Sequence, residues 1–303
     1  MAIKLDMSKA YDRVKWGFLE AMLRKSGFSE RWISLLMAYV KSISYSVFVN
    51  GTPGDTIIPS RGLRQRDPLS QYLFLLCAEG LSSLLQQAEL NGRIKGVVVT
   101  RGGIRINHIL FADDCVVFCS ARIEEWFNLM SILQQYELAS GQTINKQKTS
   151  LLFSSNTGTA SKEFIIQHAH GVSCDNYNKY LGLPTVVGRS KYNTFKSLKE
   201  KFWRRINSCK TSSLSATSNE ILIKSVLQAI PAYTMSLYRL PETLLKEIES
   251  LLAKFWWSHK KEGRGIHWRS WTRLGDPKTN GGLGFRDLQS FNRAMLAKQI
   301  LHP

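Results

Sequence analysis

The stretch His108-Ile109-Leu110-Phe111-Ala112-Asp113-Asp114-Cys115-Val116-Val117-Phe118-Cys119 sets two carboxylates side by side between two apolar runs. Each run is short and rich in β-branched and aromatic residues, so the segment reads as a hairpin with a pair of acids at its tip. Such a tip is costly, because adjacent carboxylates repel and resist losing water, and something positive has to offset them. No basic residue adjoins them in the chain. The opening residues Met1 to Asp6 alternate apolar and polar with Ile3 and Leu5 on one face, which reads as a strand that also ends on an acid. If these β segments share one sheet, Asp6 comes beside Asp113 and Asp114. Hard divalent cations answer that arrangement. Mg²⁺ takes one or two carboxylates and fills its shell with waters and substrate phosphates, and two ions about 4 Å apart stabilise both oxygens of a phosphoryl transfer. Spacing alone leaves open a plainer reading, in which Asp113 and Asp114 are turn residues and Asp6 a helix cap.

Outward from these acids the chain alternates short strands with long helices. A helix is predicted from about Lys15, with Phe18, Leu19, Met22 and Leu23 on its apolar side and Gly27 near its end. Val47-Phe48-Val49 meets Asn50-Gly51, a pair that tolerates positive φ and closes a hairpin, with Thr56-Ile57-Ile58 as the return. Asp67-Pro68 supplies an N-cap and a first-position proline for a long buried helix through Leu69, Leu73, Leu76, Cys77, Leu81 and Leu84. Val97–Val99 and Ile104–Ile106 flank a Gly102-Gly103 turn. Ser120 is placed to cap a helix through Trp126 and Leu133 that ends near Gly141, after which Leu151-Leu152-Phe153 resumes β structure. From about residue 191 the pattern turns helical and basic, with Leu244, Ile248, Leu251, Leu252 and Phe255 forming one stripe.

The chain has 303 residues, 44% hydrophobic and 21% charged, enough for a sizeable core and unlike a disordered or disulfide-stapled chain. Lys and Arg number 41 against 23 acids, a surplus of 18 that calls for a polyanionic partner, nucleic acid first. Residues 191–303 hold 20 of those cations, 8 acids and five of the eight tryptophans. Cations and flat rings are thus interleaved, as in proteins that grip phosphates and stack on bases; core tryptophans among solvated lysines fit equally well. Five scattered cysteines lack paired spacing and suit a reducing compartment, while His168, His170 and Cys174 are three candidate ligands without a fourth. No apolar run is long enough to span a membrane and no signal-like segment follows Met1, so the protein reads as intracellular.

Several ordered blocks carry a likeness. Leu5-Asp6-Met7-Ser8-Lys9-Ala10-Tyr11-Asp12-Arg13-Val14, Gly62-Leu63-Arg64-Gln65-Arg66-Asp67-Pro68-Leu69-Ser70, Phe111-Ala112-Asp113-Asp114, Ser140-Gly141-Gln142 through Ser150, and Tyr180-Leu181-Gly182-Leu183-Pro184 occur in that order. With the tail from Phe255-Trp256-Trp257 to Lys298, the chain resembles the reverse transcriptase of non-LTR (LINE-type) retrotransposons, especially those of plants. The resemblance implies a polymerase palm in which Asp6 and Asp113 are the two metal-binding carboxylates and Asp114 the accompanying acid, the three together holding two Mg²⁺ ions (Mn²⁺ in their place). It places Tyr11 under the incoming sugar, where a ring excludes a ribose 2′-hydroxyl. Gln65 falls near nucleotide and template, Lys148 at a lysine that protonates the pyrophosphate leaving group, and Tyr180 to Pro184 at the primer grip. Asp12 matches a family residue that reads as structural.

Two departures stand beside the matches. The family has glycine where this chain has Arg66, and a left-handed backbone there would cost an arginine roughly 1–2 kcal/mol; Gln71 also replaces a common proline. Only five residues precede Asp6, so the family's fingers region, like its endonuclease and RNase H, is expected to lie outside this chain. The reading is an α+β fold, a palm over residues 1–190 followed by a basic helical thumb and connection over 191–303. The chemistry is RNA-directed DNA synthesis on an RNA template with a DNA primer, an RNA·DNA hybrid and dNTPs as partners, no membrane, and the nuclear site that the family implies. The alternative is a nucleic-acid-binding remnant that keeps the fold without turnover. An RNA-templated RNA polymerase is disfavoured by Tyr11.

Overall fold

β1 (Ala2–Leu5) forms where Ile3 and Leu5 alternate with Ala2 and Lys4, and that period of two turns one side of the strand into the core. The computed structural model describes residues 1–99, 102–169, 179–210, 215–257 and 266–301. By its contacts the chain divides into two units, Met1–Tyr177 and Asn178–Pro303.

In the first unit β1 is followed by α1 (Trp16–Lys25), α2 (Glu30–Lys41), the hairpin β2 (Phe48–Val49) and β3 (Thr52–Pro53), α3 (Pro68–Leu90), the pair β4 (Val97–Val98) and β5 (Arg105–Ile106), β6 (His108–Phe111), β7 (Asp114–Phe118), α4 (Ile123–Ser140), β8 (Ser150–Leu152) and α5 (Thr159–His168). The main sheet is antiparallel throughout, in the order β6-β7-β1-β8, with Leu5 opposite Cys115 and Ile3 opposite Leu151. Ile3, Leu5, Cys115, Val117 and Leu151 share one face and pack on Leu81 and Leu85 of α3 and on Trp126, Leu129 and Tyr136 of α4. The amino-terminal half of α3 serves a second core, where Leu73, Phe74 and Cys77 meet Leu19 and Leu23 of α1 and Ile33, Met37 and Val40 of α2. Asp67 caps α3 by accepting from the Ser70 N–H at 2.7 Å, and Pro68 sits at its first position, as the sequence predicts.

Two local expectations change. The hairpin turns at Asn50-Gly51, both at positive φ, but its return strand starts at once with Thr52-Pro53, and Ile57 bridges Tyr45 separately. Ser120 caps nothing. Arg122 stands at the N-cap of α4, and the buried Glu125 carboxylate accepts from the Ser120 and Lys95 N–H groups instead. Helix α2 follows the spacing Ile33, Met37, Val40, a signal that the reading outward from the acids passed over.

The second unit comprises the short hairpin β9 (Lys179–Tyr180) and β10 (Leu183–Pro184), α6 (Lys191–Lys210), α7 (Ala216–Ser225), α8 (Ala232–Leu237), α9 (Glu242–Trp257), α10 (Trp271–Leu274) and α11 (Leu288–Leu301). Its core is helical, with Phe195, Leu198, Phe202 and Ile206 of α6 facing Leu244, Ile248 and Leu252 of α9. Among the described residues no helix is long and apolar enough to cross a membrane.

Candidate active site

The sheet register sets the acids. One step beyond the Leu5↔Cys115 pair, Asp6 and Asp114 come next in line on the face opposite the core, and Asp113 occupies the two-residue tip between β6 and β7. Ala112, the other tip residue, holds φ at +53°, a left-handed conformation that a Cβ makes costly. Asp113 is exposed, Asp6 and Asp114 half-buried.

A positive partner is present after all, and β1 supplies it. Lys4, two residues before Asp6 and therefore on the same face, reaches Asp114 at 3.7 Å. The expectation of acids without a nearby cation considered sequence neighbours only. Asp114 is thereby partly neutralised, which leaves Asp6 and Asp113 as the carboxylates free for a ligand. Among the described residues no three His, Cys, Asp or Glu side chains close into a cation cage. Mg²⁺ does not need one: two carboxylate donors suffice when water and phosphate complete its shell, so the donor chemistry fits.

Two further segments are pinned against these acids. On one side Asn145 N–H donates to the Asp6 carbonyl at 2.7 Å, Ser8 N–H to the Thr143 carbonyl at 2.8 Å, and Met7 bridges Ile144. That brings the turn carrying Lys148 alongside Asp6; its N–H is held by the Asn145 carbonyl at 3.2 Å, and its side chain is exposed. Buried Gln142 anchors the same segment, with its Nε2 donating to the Ala10 carbonyl at 3.0 Å and its Oε1 accepting from the Tyr136 hydroxyl.

On the other side lies Tyr11, whose ring stacks on Phe74 with centroids 4.4 Å apart and planes 14° from parallel. Burial raises its pKa, and the negative charge of Asp113 raises it further, so the phenol keeps its proton. The same coupling shows that Asp113 and Tyr11, a hundred residues apart in sequence, are neighbours in space. The loop before α3 runs along this segment, with Leu63 N–H donating to the Tyr11 carbonyl at 2.9 Å and Gly62 N–H to that of Val14 at 2.8 Å. A Cβ on Gly62 would stand 2.7 Å from the Asp12 carbonyl oxygen, which is why glycine sits there. Gln65 Nε2 donates to the Asp12 carboxylate at 3.0 Å. A carboxylate only accepts, so the amide is oriented with Oε1 pointing away. Arg66, next in line, is exposed and holds φ at +64°. Lys9, Arg66, Ala112 and Leu181, four of the five non-glycine residues at positive φ, belong to the blocks quoted above, and such strain gathers at functional sites.

Tyr180 to Pro184 forms a tight hairpin with Leu181 and Gly182 both at positive φ, and it belongs to the second unit, where the Tyr238 hydroxyl donates to the Pro184 carbonyl at 3.2 Å. His168 donates from Nδ1 to the Phe164 carbonyl at 2.8 Å and stacks on Phe164, the arrangement of an ordinary helix-end histidine; His170 and Cys174 lie outside the described residues. Cys77, Cys115 and Cys119 are buried free thiols.

Comparison with known proteins gives this geometry a family. The profile described as "Reverse transcriptase (RNA-dependent DNA polymerase)" matches residues 1–185. An uncharacterised mitochondrial protein of Arabidopsis thaliana is 52% identical over 79 residues, 26% of this chain and 65% of that protein. An uncharacterised 149 kDa protein of the Xenopus laevis transposon TX1 is 24% identical over 98% of this chain, which spans 22% of its length. The Pol polyprotein of the R2 retrotransposable element of Drosophila melanogaster is 28% identical over 39% of this chain and 10% of its own. Among solved structures, a telomerase from Candida tropicalis in complex with a fragment of telomeric RNA aligns over 99% of this chain and 46% of its own, at 12% identity and a TM-score of 0.44. The chain belongs to the reverse transcriptase family, among the proteins of non-LTR retrotransposons.

Proposed function

We propose that this chain carries the palm and thumb of an RNA-directed DNA polymerase, which joins deoxynucleotides to a primer 3′-hydroxyl on an RNA template. The observation that carries the reading is the convergence of two distant segments at one sheet edge, Asp6 and Tyr11 from the stretch after β1 and Asp113 from the tip between β6 and β7. Asp6 and Asp113 are the carboxylates that would hold Mg²⁺. When bound, the metal offsets the negative charge that builds on the attacking and leaving oxygens. The Tyr11 ring, fixed against Phe74, forms a wall that a deoxyribose clears and a ribose 2′-hydroxyl strikes. Gln65, oriented by Asp12, presents a carbonyl oxygen as an acceptor for the incoming nucleotide or template. As the 3′-hydroxyl gives up its proton to solvent water and its oxygen bonds to the α-phosphorus, the bond to pyrophosphate breaks and the exposed Lys148 ammonium supplies a proton to the leaving group. The second unit, with 22 Lys and Arg against 8 acids, holds the hybrid through its backbone charge.

Primer extension by this chain on an RNA template with Mg²⁺ tests the reading. Asp113→Asn keeps the shape and removes the charge, and is expected to lower extension about a thousandfold, the several kcal/mol that metal stabilisation is worth. Equal extension by both proteins would overturn it. A non-catalytic nucleic-acid-binding remnant remains the second reading, favoured by one observation: an arginine in a left-handed conformation beside Gln65.

A further inference from the structure

The five tryptophans of the second unit divide into two groups. Trp256 is buried, and Trp256 and Trp271 both contact the core ring of Phe285, while Trp257 lies against Trp256. Trp203 is 57% exposed and Trp268 75% exposed. Trp268 lies outside any helix, whereas Trp203 stands on α6, which is 20 residues and therefore about 30 Å long. That helix buries Phe195, Leu198, Phe202 and Ile206 in a continuous stripe, so its next residue, Trp203, is turned about 100° off the stripe and out of the core's reach.

Around Trp203 the helix is rich in cations, with one acid, Glu200, three residues earlier on the same side. Seven residues earlier, two helical turns along nearly the same line, is exposed Lys196, and exposed Arg204 flanks the ring on the outer face. The helix carries seven Lys and Arg against one acid, Glu200; Lys199 forms an ion pair with Glu247, and the charge of Lys196 also acts on that carboxylate. A large exposed ring on a helix with a surplus of six positive charges suits a ligand with a flat face and repeated negative charges. We infer that the outer face of α6 binds an unpaired stretch of nucleic acid, with one base stacked on the Trp203 indole and phosphates on Lys196 and Arg204. The inference rests on the nucleic-acid partner proposed above but not on catalysis. Every base has a π-face, so such a platform is tolerant of sequence.

Fluorescence anisotropy with the full chain tests it, using labelled oligo-dT and an abasic strand with the same number of phosphates. Trp203→Ala is expected to weaken oligo-dT binding about 5- to 100-fold while leaving the abasic strand unaffected, and Trp203→Phe to retain most of the affinity. Lys196→Gln and Arg204→Gln are expected to weaken both strands and to flatten the salt dependence by about one counterion each. The inference fails if Trp203→Ala weakens both strands equally or neither. It fails also if phosphatidylserine vesicles compete with oligo-dT as well as unlabelled oligo-dT does, since the face would then be a general anion or membrane surface. Neither result bears on primer extension, where Asp113→Asn remains the control.

Discussion

In the first unit 19 Lys and Arg stand against 15 acids, and the proposed site is a few side chains at one edge of a sheet, held by turns with left-handed residues. In the second unit 22 Lys and Arg stand against 8 acids, spread over helices around an apolar core. The difference separates two ways of building function. A carboxylate array depends on position, so changes that leave stability alone can abolish it. A charged helical surface depends on the sum of many contacts, so no single cation dominates and the fold tolerates changes on its outside.

Adjacent residues of α6 give the strongest test of that contrast. Phe202 is fully buried and Trp203 is 57% exposed. Phe202→Ala is expected to destabilise the second unit by about 3–5 kcal/mol, through lost burial and the cavity left behind, whereas Trp203→Ala is expected to shift stability by about 0.5 kcal/mol or less. Denaturant unfolding of the two variants compares them directly. Equal losses would mean that the outer face of α6 is part of the core, and the contrast between the units would dissolve.

Much of the first unit was legible from residue patterns, because its elements report themselves locally. The Phe111–Asp114 tip, the Asp67-Pro68 helix start, the Asn50-Gly51 turn and the alternation of Ile3 and Leu5 each carry a physical signature within a few residues. What stayed hidden depends on side chains meeting across the fold. Lys4 finds Asp114 only once β1 and β7 pair, Glu125 satisfies the Lys95 and Ser120 amides from the next helix, and Gln142 is a core residue whose side-chain amide finds partners at both ends. The hairpin Tyr180–Pro184 has an obvious turn but no local signal for the unit it joins, which is decided by contacts such as Tyr238 to Pro184. Tryptophans in a basic segment are ambiguous for the same reason, since burial is set by helix phase against partners that composition does not reveal.

Backbone strain sharpens the comparison at the first unit's edge. Arg66 holds φ at +64°, and glycine there would relieve a penalty of about 1 kcal/mol once its greater flexibility in the unfolded chain is allowed for. Arg66→Gly is therefore expected to raise the unfolding midpoint of the first unit and, under the polymerase reading, to increase primer extension. Asn50→Gly, at φ +51° in the hairpin of β2 and β3, is the control, and a smaller gain is expected because asparagine tolerates that region. A chain stabilised by Arg66→Gly without any extension would favour the non-catalytic reading.

The smallest effect tests whether the second unit's acids are as expendable as its cations. Glu249, on α9, accepts from the Leu288 N–H at 2.8 Å, and burial raises its pKa from the ordinary glutamate value. The folded state then holds a proton that the unfolded state has already released, so stability falls as pH rises from the ordinary glutamate range through the raised folded value. Glu249→Gln keeps an oxygen for the Leu288 N–H and removes the half-buried charge. It is expected to stabilise the second unit by about 0.5 kcal/mol at neutral pH, with the advantage vanishing below the ordinary carboxylate range, where the parent is protonated in both states. Denaturant midpoints of parent and variant at acid and neutral pH read this directly. A difference that does not change with pH would assign the effect to the amide itself, and a loss at neutral pH would show that the Glu249 charge supports the unit through Lys246 more than burial opposes it.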